Sequence, residues 1–410
     1  MKRFLVLWTG QFISAIGGGL TSFGLLVYVF QKTGSAAGMA LVTLLGFLPT
    51  LLLSVPAGAL ADRYDRRLMM MIGDGCSGLG ILFILINMMN GDVTLTTICI
   101  GVFISAVFSS LLEPAYKATV SDLLTVEEYS KASGLISLAG SARYLISPVI
   151  AGIVLSFANV SVLLVIDICT FILTVISTFV VRKGIAKKNT EKEESIIVSI
   201  KEGFTSLKKN RGVFLLVVVA SVLTLFIGAF QILAEPLVLS IADAKTLGIT
   251  ETICASGMLV SSLYLGIRGI KKGYVKVLCL ALSFAGVFIF GFGQFERIPL
   301  IIASGFAFFL MLPFANNCLD YLVRVNTPVE IQGRVWGIVG FLSQIGYVIA
   351  YGISGLLADN IAKMKGISVG RGAGSVMKIA GAMLIIVSIV TYFIKDIKQL
   401  EETNDQKTYI

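Results

Sequence analysis

Unbroken apolar runs recur along the whole chain, near 5–31, 36–60, 68–90, 93–116, 131–157, 160–182, 212–237, 246–267, 274–293, 298–323, 335–358 and 374–394. As helices, runs of about 20 residues cross a hydrocarbon layer of about 30 Å. Inside lipid every backbone polar group must be satisfied by the chain itself, so only helices and closed barrels span. A barrel needs short alternating segments, and these runs do not alternate. Only 14% of the residues are charged, against about 25% in soluble domains. The expected fold is therefore an all-α membrane protein with twelve transmembrane helices.

The longest polar interruption, 182–211, follows the sixth run and divides the chain six plus six. We expect a bundle over 1–181, a linker over 182–211, a second bundle over 212–395 and a tail over 396–410. In the linker Ile196, Ile197, Ile200, Phe204 and Leu207 recur at helical spacing with lysines between them, which predicts an amphipathic helix at the membrane interface. The halves resemble each other at a constant offset of 203 residues. Val126, Glu127, Gly134, Tyr144 and Gly152 fall on Val329, Glu330, Gly337, Tyr347 and Gly355. Such parallel six-helix repeats are a transporter architecture, with the substrate path between the halves.

Basic residues set the orientation. With the N-terminus cytoplasmic, that side collects 25 of the 33 Lys and Arg residues. Both termini are thus expected in the cytoplasm, with the protein in the cell membrane. The net charge of +9 reads as a topology signal; no basic face interleaved with aromatics supports nucleic acid as a partner. There is no His, so a proton carrier must be a carboxylate or a less usual group. The six Cys stand singly in apolar runs, without metal or redox spacing, and read as small core side chains. No phosphate-binding Gly-x-x-x-x-Gly-Lys-Ser/Thr loop is present, which argues against ATP chemistry within the chain.

Between the second and third runs stands "GALADRYDRR", Gly58 to Arg67. With Gly58, Asp62, Arg63, Arg66 and Arg67 it resembles the signature loop of the major facilitator superfamily; Asp65 replaces the usual second Gly and puts that tight turn in question. The second-half counterpart "GIRGIKKG", 266–273, keeps the basic residues and lacks the Asp. Within the superfamily, "LWTGQFIS" (7–14), "SPVIAG" (147–152), "IKEGFTSLKKNRG" (200–212) and "QGRVWG" (332–337) are similar to the drug-efflux branch that holds bacterial macrolide exporters. The resemblance implies proton antiport and alternating access. It also implies a gating latch: Asp62 on the start of the eleventh helix, and Arg66 reaching Asp122 at the inner end of the fourth. Independently, Gly58 is expected to permit close helix contact, and Asp62 and Arg66, four apart, can pair if the helix continues.

Charges at membrane depth are expensive and line cavities or pair. Arg143, near the middle of the fifth run, is expected to face a central cavity and pair with a carboxylate, Glu113 first, then Asp74 or Asp167. Glu113-Pro114 and Glu235-Pro236 predict kinks beside a carboxylate. Glu113, Glu235, Asp74 and Asp167 are the proton-coupling candidates. Gln11, Asn316, Asn317, Asp320 and Gln344 are candidates for lining the cavity.

The residues together point to a proton-driven exporter of amphiphilic small molecules, monomeric, in contact with membrane lipid, with no metal or cofactor beyond the proton gradient. A lipid, lysophospholipid or siderophore exporter of the same fold is the alternative. A membrane subunit or receptor without transport is the third reading.

Overall fold

The computed structural model describes residues 1–91, 93–125, 128–182, 204–205, 210–328 and 332–407. The side chains of Val55, Asp62, Tyr129, Ser130, Gly333, Arg334 and 402–407 lie outside the described set. So do nearly all residues of the expected interfacial helix in the linker.

Among the described residues the fold is all-helical, and twelve helices are long and apolar enough to cross a membrane. In chain order the elements are α1 (Lys2–Thr33), α2 (Ala36–Arg63), α3 (Arg66–Met89), α4 (Leu95–Ser109), α5 (Leu112–Leu123), α6 (Tyr129–Leu145), α7 (Ser147–Leu155) and α8 (Val160–Arg182). After the linker come α9 (Arg211–Leu239), α10 (Ala244–Arg268), α11 (Tyr274–Gln294), α12 (Ile298–Val325), α13 (Gln332–Lys365), α14 (Val369–Phe393) and α15 (Lys395–Lys407).

Two spans are broken, and proline explains both. A Pro lacks the N–H of its turn and its ring collides with the carbonyl four residues earlier. Pro114 opposes Ser110, and α4 gives way to α5 at Ser110–Leu111; Pro148 opposes Tyr144, and α6 gives way to α7 at Ile146. Pro236 lies within a helix that is not interrupted: α9 runs past it to Leu239. The fourth span also continues to Leu123, seven residues beyond the apolar run.

The chain forms two compact units, Met1–Glu191 with Ala242–Thr252, and Lys192–Ile241 with Ile253–Ile410. The first turns of α10 thus group with the first unit, where a division at the linker placed them in the second bundle. There the Thr252 hydroxyl donates to the Leu145 carbonyl at 2.8 Å. A side chain at Gly152 would meet the Ala244 carbonyl at 2.7 Å, so this small residue permits a close approach.

Both units are held by seams of small residues. On α1, Gly10, Gly17 and Gly24 fall seven apart and oppose Ser177, Thr170 and Leu163 of α8, also seven apart and in reverse order. In the second unit Gly286 and Gly293 of α11 oppose Gly381 and Gly374 of α14, where an added Cβ would meet backbone oxygen at 2.5–2.6 Å. Without a hydrophobic drive between helices in lipid, close packing of this kind provides the association. Phe230 stacks on Phe308 at 4.5 Å and meets Phe292 edge-on at 4.7 Å at the centre of the second unit. The outer surface is the reverse of a soluble one: Ile379, Met383, Ile386, Val390 and Phe393 of α14 form an apolar stripe, each at least half exposed, as a lipid-facing helix requires.

The last helix is tied to the second unit. Glu401 accepts from the Tyr274 and Val275 amides at 2.8 and 3.2 Å, which caps α11 with a carboxylate from 127 residues away. Asp396 pairs with Arg211 at 3.1 Å, and Ile397 and Leu400 are buried. Of the Cys, 99, 254, 279 and 318 are buried as expected of core side chains, whereas Cys76 is half-buried and Cys169 exposed.

Candidate functional site

The signature loop shows what Asp65 does. Its backbone sits at φ −64°, and among the described residues no non-glycine residue has positive φ, so the turn has no need of glycine there. Its carboxylate instead caps α3, accepting from the Arg67 and Leu68 amides at 3.0 and 3.3 Å. It also accepts from Arg182 Nε at 3.0 Å, which fastens the loop to the end of α8. Burial pushes this carboxyl up, but the Leu68 amide, the Arg182 guanidinium and the Arg67 amide outweigh it and hold the group below 3.8. A depressed carboxyl contributes stability above its unfolded value and loses it as pH falls through the folded one. Asp65→Ala is therefore expected to cost about 1 kcal/mol at neutral pH. Thermal unfolding in detergent should show the difference from wild type shrinking as pH drops below 3.8.

Beside it, Arg66 Nη1 meets Asp122 Oδ1 at 2.8 Å and Arg67 Nη2 lies 3.6 Å from Asp122 Oδ2. Arg66 also donates to the Ala61 carbonyl at 3.1 Å. One carboxylate thus joins the start of α3 to the end of α5, with the Arg67 side chain only 8% exposed. The side chain of Asp62 lies outside the described residues. Gly58 is not a contact point: a Cβ there meets nothing within 4 Å among the described residues, so the expected close approach is corrected. Arg63 is exposed at the end of α2.

Of the proton-coupling candidates, the structure separates two kinds. Glu113 bonds Lys117 at 2.6 Å, one turn along α5, with both side chains more than half exposed. The expected Arg143–Glu113 pair is therefore corrected: a local partner satisfies the acid. Arg143 is exposed and donates to Ser22 Oγ on α1 at 3.3 Å. Asp74 of α3 and Asp167 of α8 are each 1% exposed in the first unit. Asp74 accepts from Gln11 of α1 at 3.3 Å, and its other oxygen has no hydrogen bond among the described residues. Asp167 accepts from Thr170 at 3.4 Å and faces Gly17 of α1, which has no side chain to fill that space. The two carboxyls lie within electrostatic reach of each other, and Arg143 within reach of Asp167. Among the described residues neither acid forms an ion pair. Glu235 is half-buried on α9. Glu251, half-buried on α10, went unnoticed in the sequence; a carboxylate in the least apolar of the twelve spans was its signal.

In the second unit a pocket of about 250 Å³ opens between α9, α12 and α13. Its wall, which includes Trp336, is apolar apart from Thr224, Asn316, Asp320 and Ser343. Asn316 and Asp320 therefore border this pocket of the second unit. Asn317 is exposed and does not border this pocket; Gln344 is half-buried, its Oε1 without a hydrogen bond among the described residues.

Residues 7–240, more than half of the chain, match the Major Facilitator Superfamily profile. The chain belongs to the Major Facilitator Superfamily. It is accordingly a multi-pass membrane transporter and not an enzyme. Macrolide efflux protein A of Streptococcus pyogenes is 24% identical over 97% of both chains. Enterobactin exporter EntS of Salmonella typhi is 23% identical over 94% of this chain and 92% of its own. Among solved structures, a bacterial homolog of the human lysosomal transporter Spinster superposes with a TM-score of 0.77 at 11% identity, covering 98% of this chain and 97% of its own. A bacterial homologue of the iron transporter ferroportin gives 0.75 at 14% identity, covering 96% and 99%. At these identities the likeness is one of fold.

Proposed function

We propose that this transporter is a proton-driven exporter of amphiphilic small molecules of the macrolide class. It resides in the cell membrane with both termini in the cytoplasm and acts as a monomer without a bound cofactor. One observation carries the reading: Asp74 and Asp167 are buried in the first unit with no ion pair among the described residues. A buried, unpaired carboxylate costs several kcal/mol unless it binds a proton. Each arrangement of the bundle that wets or dries this site therefore changes proton occupancy, and proton binding in turn favours one arrangement. The Arg66–Asp122–Arg67 cluster supplies a set of contacts that can form in one arrangement and break in another. The names of the relatives support export as the direction.

The test is transport by the purified chain in liposomes under an imposed pH gradient, with a radiolabelled macrolide. Accumulation that a protonophore abolishes is expected. Macrolide movement indifferent to the protonophore, or none at all, removes the proposal. Because exporters of enterobactin are also relatives, the same vesicles loaded with enterobactin form the second arm; proton-driven movement of enterobactin alone assigns the substrate there.

A further inference from the structure

The turn joining α10 to α11 is the second-half counterpart of the signature loop, and the two differ in how their cations are satisfied. In the first loop Asp122 holds Arg66 and Arg67, and Asp65 holds Arg182. In the second, Arg268, Lys271, Lys272 and Lys276 form no ion pair among the described residues, and all four are exposed. The acid that reaches this turn, Glu401, is engaged by two backbone amides. Four like charges within nine residues, without a protein counterion, attract an anion from outside.

The turn is also a built shape rather than a loose one. Gly269 and Gly273 take φ of 61° and 77°, which only glycine adopts readily, and bring the chain round between the helices. The Tyr274 hydroxyl donates to the Ile270 carbonyl at 2.6 Å and its ring stacks on Tyr321 at 3.7 Å. Immediately before the cations, the end of α10 exposes Tyr264 at 52% and Ile267 at 76%. An aromatic with a polar tip, a bare aliphatic chain and then a row of cations is the order met when passing from acyl chain to headgroup.

We propose that this turn binds the phosphate headgroup of an anionic phospholipid, in the leaflet on the N-terminal side of the membrane. The apolar end of α10 receives the upper acyl chain, and Arg268, Lys271 and Lys272 meet the phosphate. Arg268 offers a planar fork suited to two phosphate oxygens, and the lysines add point charge. A lipid occupies this place better than a soluble anion because the cations continue an apolar, lipid-facing surface.

The test uses the full chain in phosphatidylcholine nanodiscs with a trace of photoreactive phosphatidylglycerol or photoreactive phosphatidylcholine, crosslinks being mapped by peptide mass spectrometry. Phosphatidylglycerol should label residues 263–276 at least about fivefold more than phosphatidylcholine. The triple variant Arg268→Gln/Lys271→Gln/Lys272→Gln should bring that ratio to about one, whereas Arg268→Lys/Lys271→Arg/Lys272→Arg should largely preserve it. Lys363→Gln/Lys365→Gln, in the last turn of α13, should leave it unchanged. Equal labelling by the two lipids overturns the proposal, as does an undiminished ratio in the triple Gln variant. Loss of the wild-type preference on adding inorganic phosphate also overturns it, since that marks a soluble-anion site. Should the triple variant elute as aggregate, the wild-type ratio and single Lys272→Gln decide alone.

Discussion

Asp74→Asn should lower gradient-driven macrolide efflux roughly tenfold, within the 5–150-fold range of ordinary coupling free energies. The amide keeps the shape of the acid and can still accept from Gln11 through its oxygen, so the hydrogen bond between α1 and α3 survives. What it removes is the capacity to gain and lose a proton at a site 1% exposed. Stability should hold or rise, because the variant no longer buries an ionisable group. Asp167→Asn should move transport in the same direction, its Thr170 contact being retained. Glu113→Gln should have little effect, since that side chain only closes a local pair with Lys117. The measurement is initial efflux rate against protonophore concentration for the three variants. Wild-type protonophore sensitivity in both Asn variants would show that the coupling acid lies elsewhere.

The second large effect is structural. Asp122→Ala should destabilise the chain by about 3 kcal/mol, because it strands two arginines rather than removing one weak surface pair. Arg67 is the reason: its side chain is 8% exposed, and its Nε has no hydrogen bond among the described residues. With Asp122 gone, a buried guanidinium keeps its charge and loses its counterion. Asp122→Asn should be milder, since an amide oxygen can still accept from Arg66. Thermal unfolding in detergent should drop by roughly 6 °C or more for the Ala variant. A fall equal to that of an ordinary surface substitution would mean that water already solvates Arg67.

These expectations rest on features of unequal visibility in the sequence. The spans were plain, because apolar length alone identifies a helix that lipid must surround. Arg66 and Asp122 were legible as a pair through the resemblance to the superfamily's signature loop, which implies an acidic partner at the inner end of the fourth helix. The Gln11–Asp74 contact was not legible: 63 residues separate the two, and only the packing of α1 and α3 against α8 brings them together. Glu113 was misjudged because its apolar run ends near 116 while the helix continues to Leu123, where Lys117 waits one turn on. Asp65 was read as a missing glycine, although an Asp directly before a helix is also a cap signal. Gly58 was read as a contact because small residues usually mark one, yet the contacting glycines here are those spaced by sevens on α1 and α11.

The carboxylate that caps α11 has a consequence for how the second bundle is made. Tyr274 leaves the ribosome 127 residues ahead of Glu401. At about 5–20 residues per second, roughly 6–25 s of synthesis separate the two. For that interval the first turn of α11 is in place with its amides unanswered. The bundle thus inserts α11 well before it can finish that helix, and the later helix carrying Glu401 closes it.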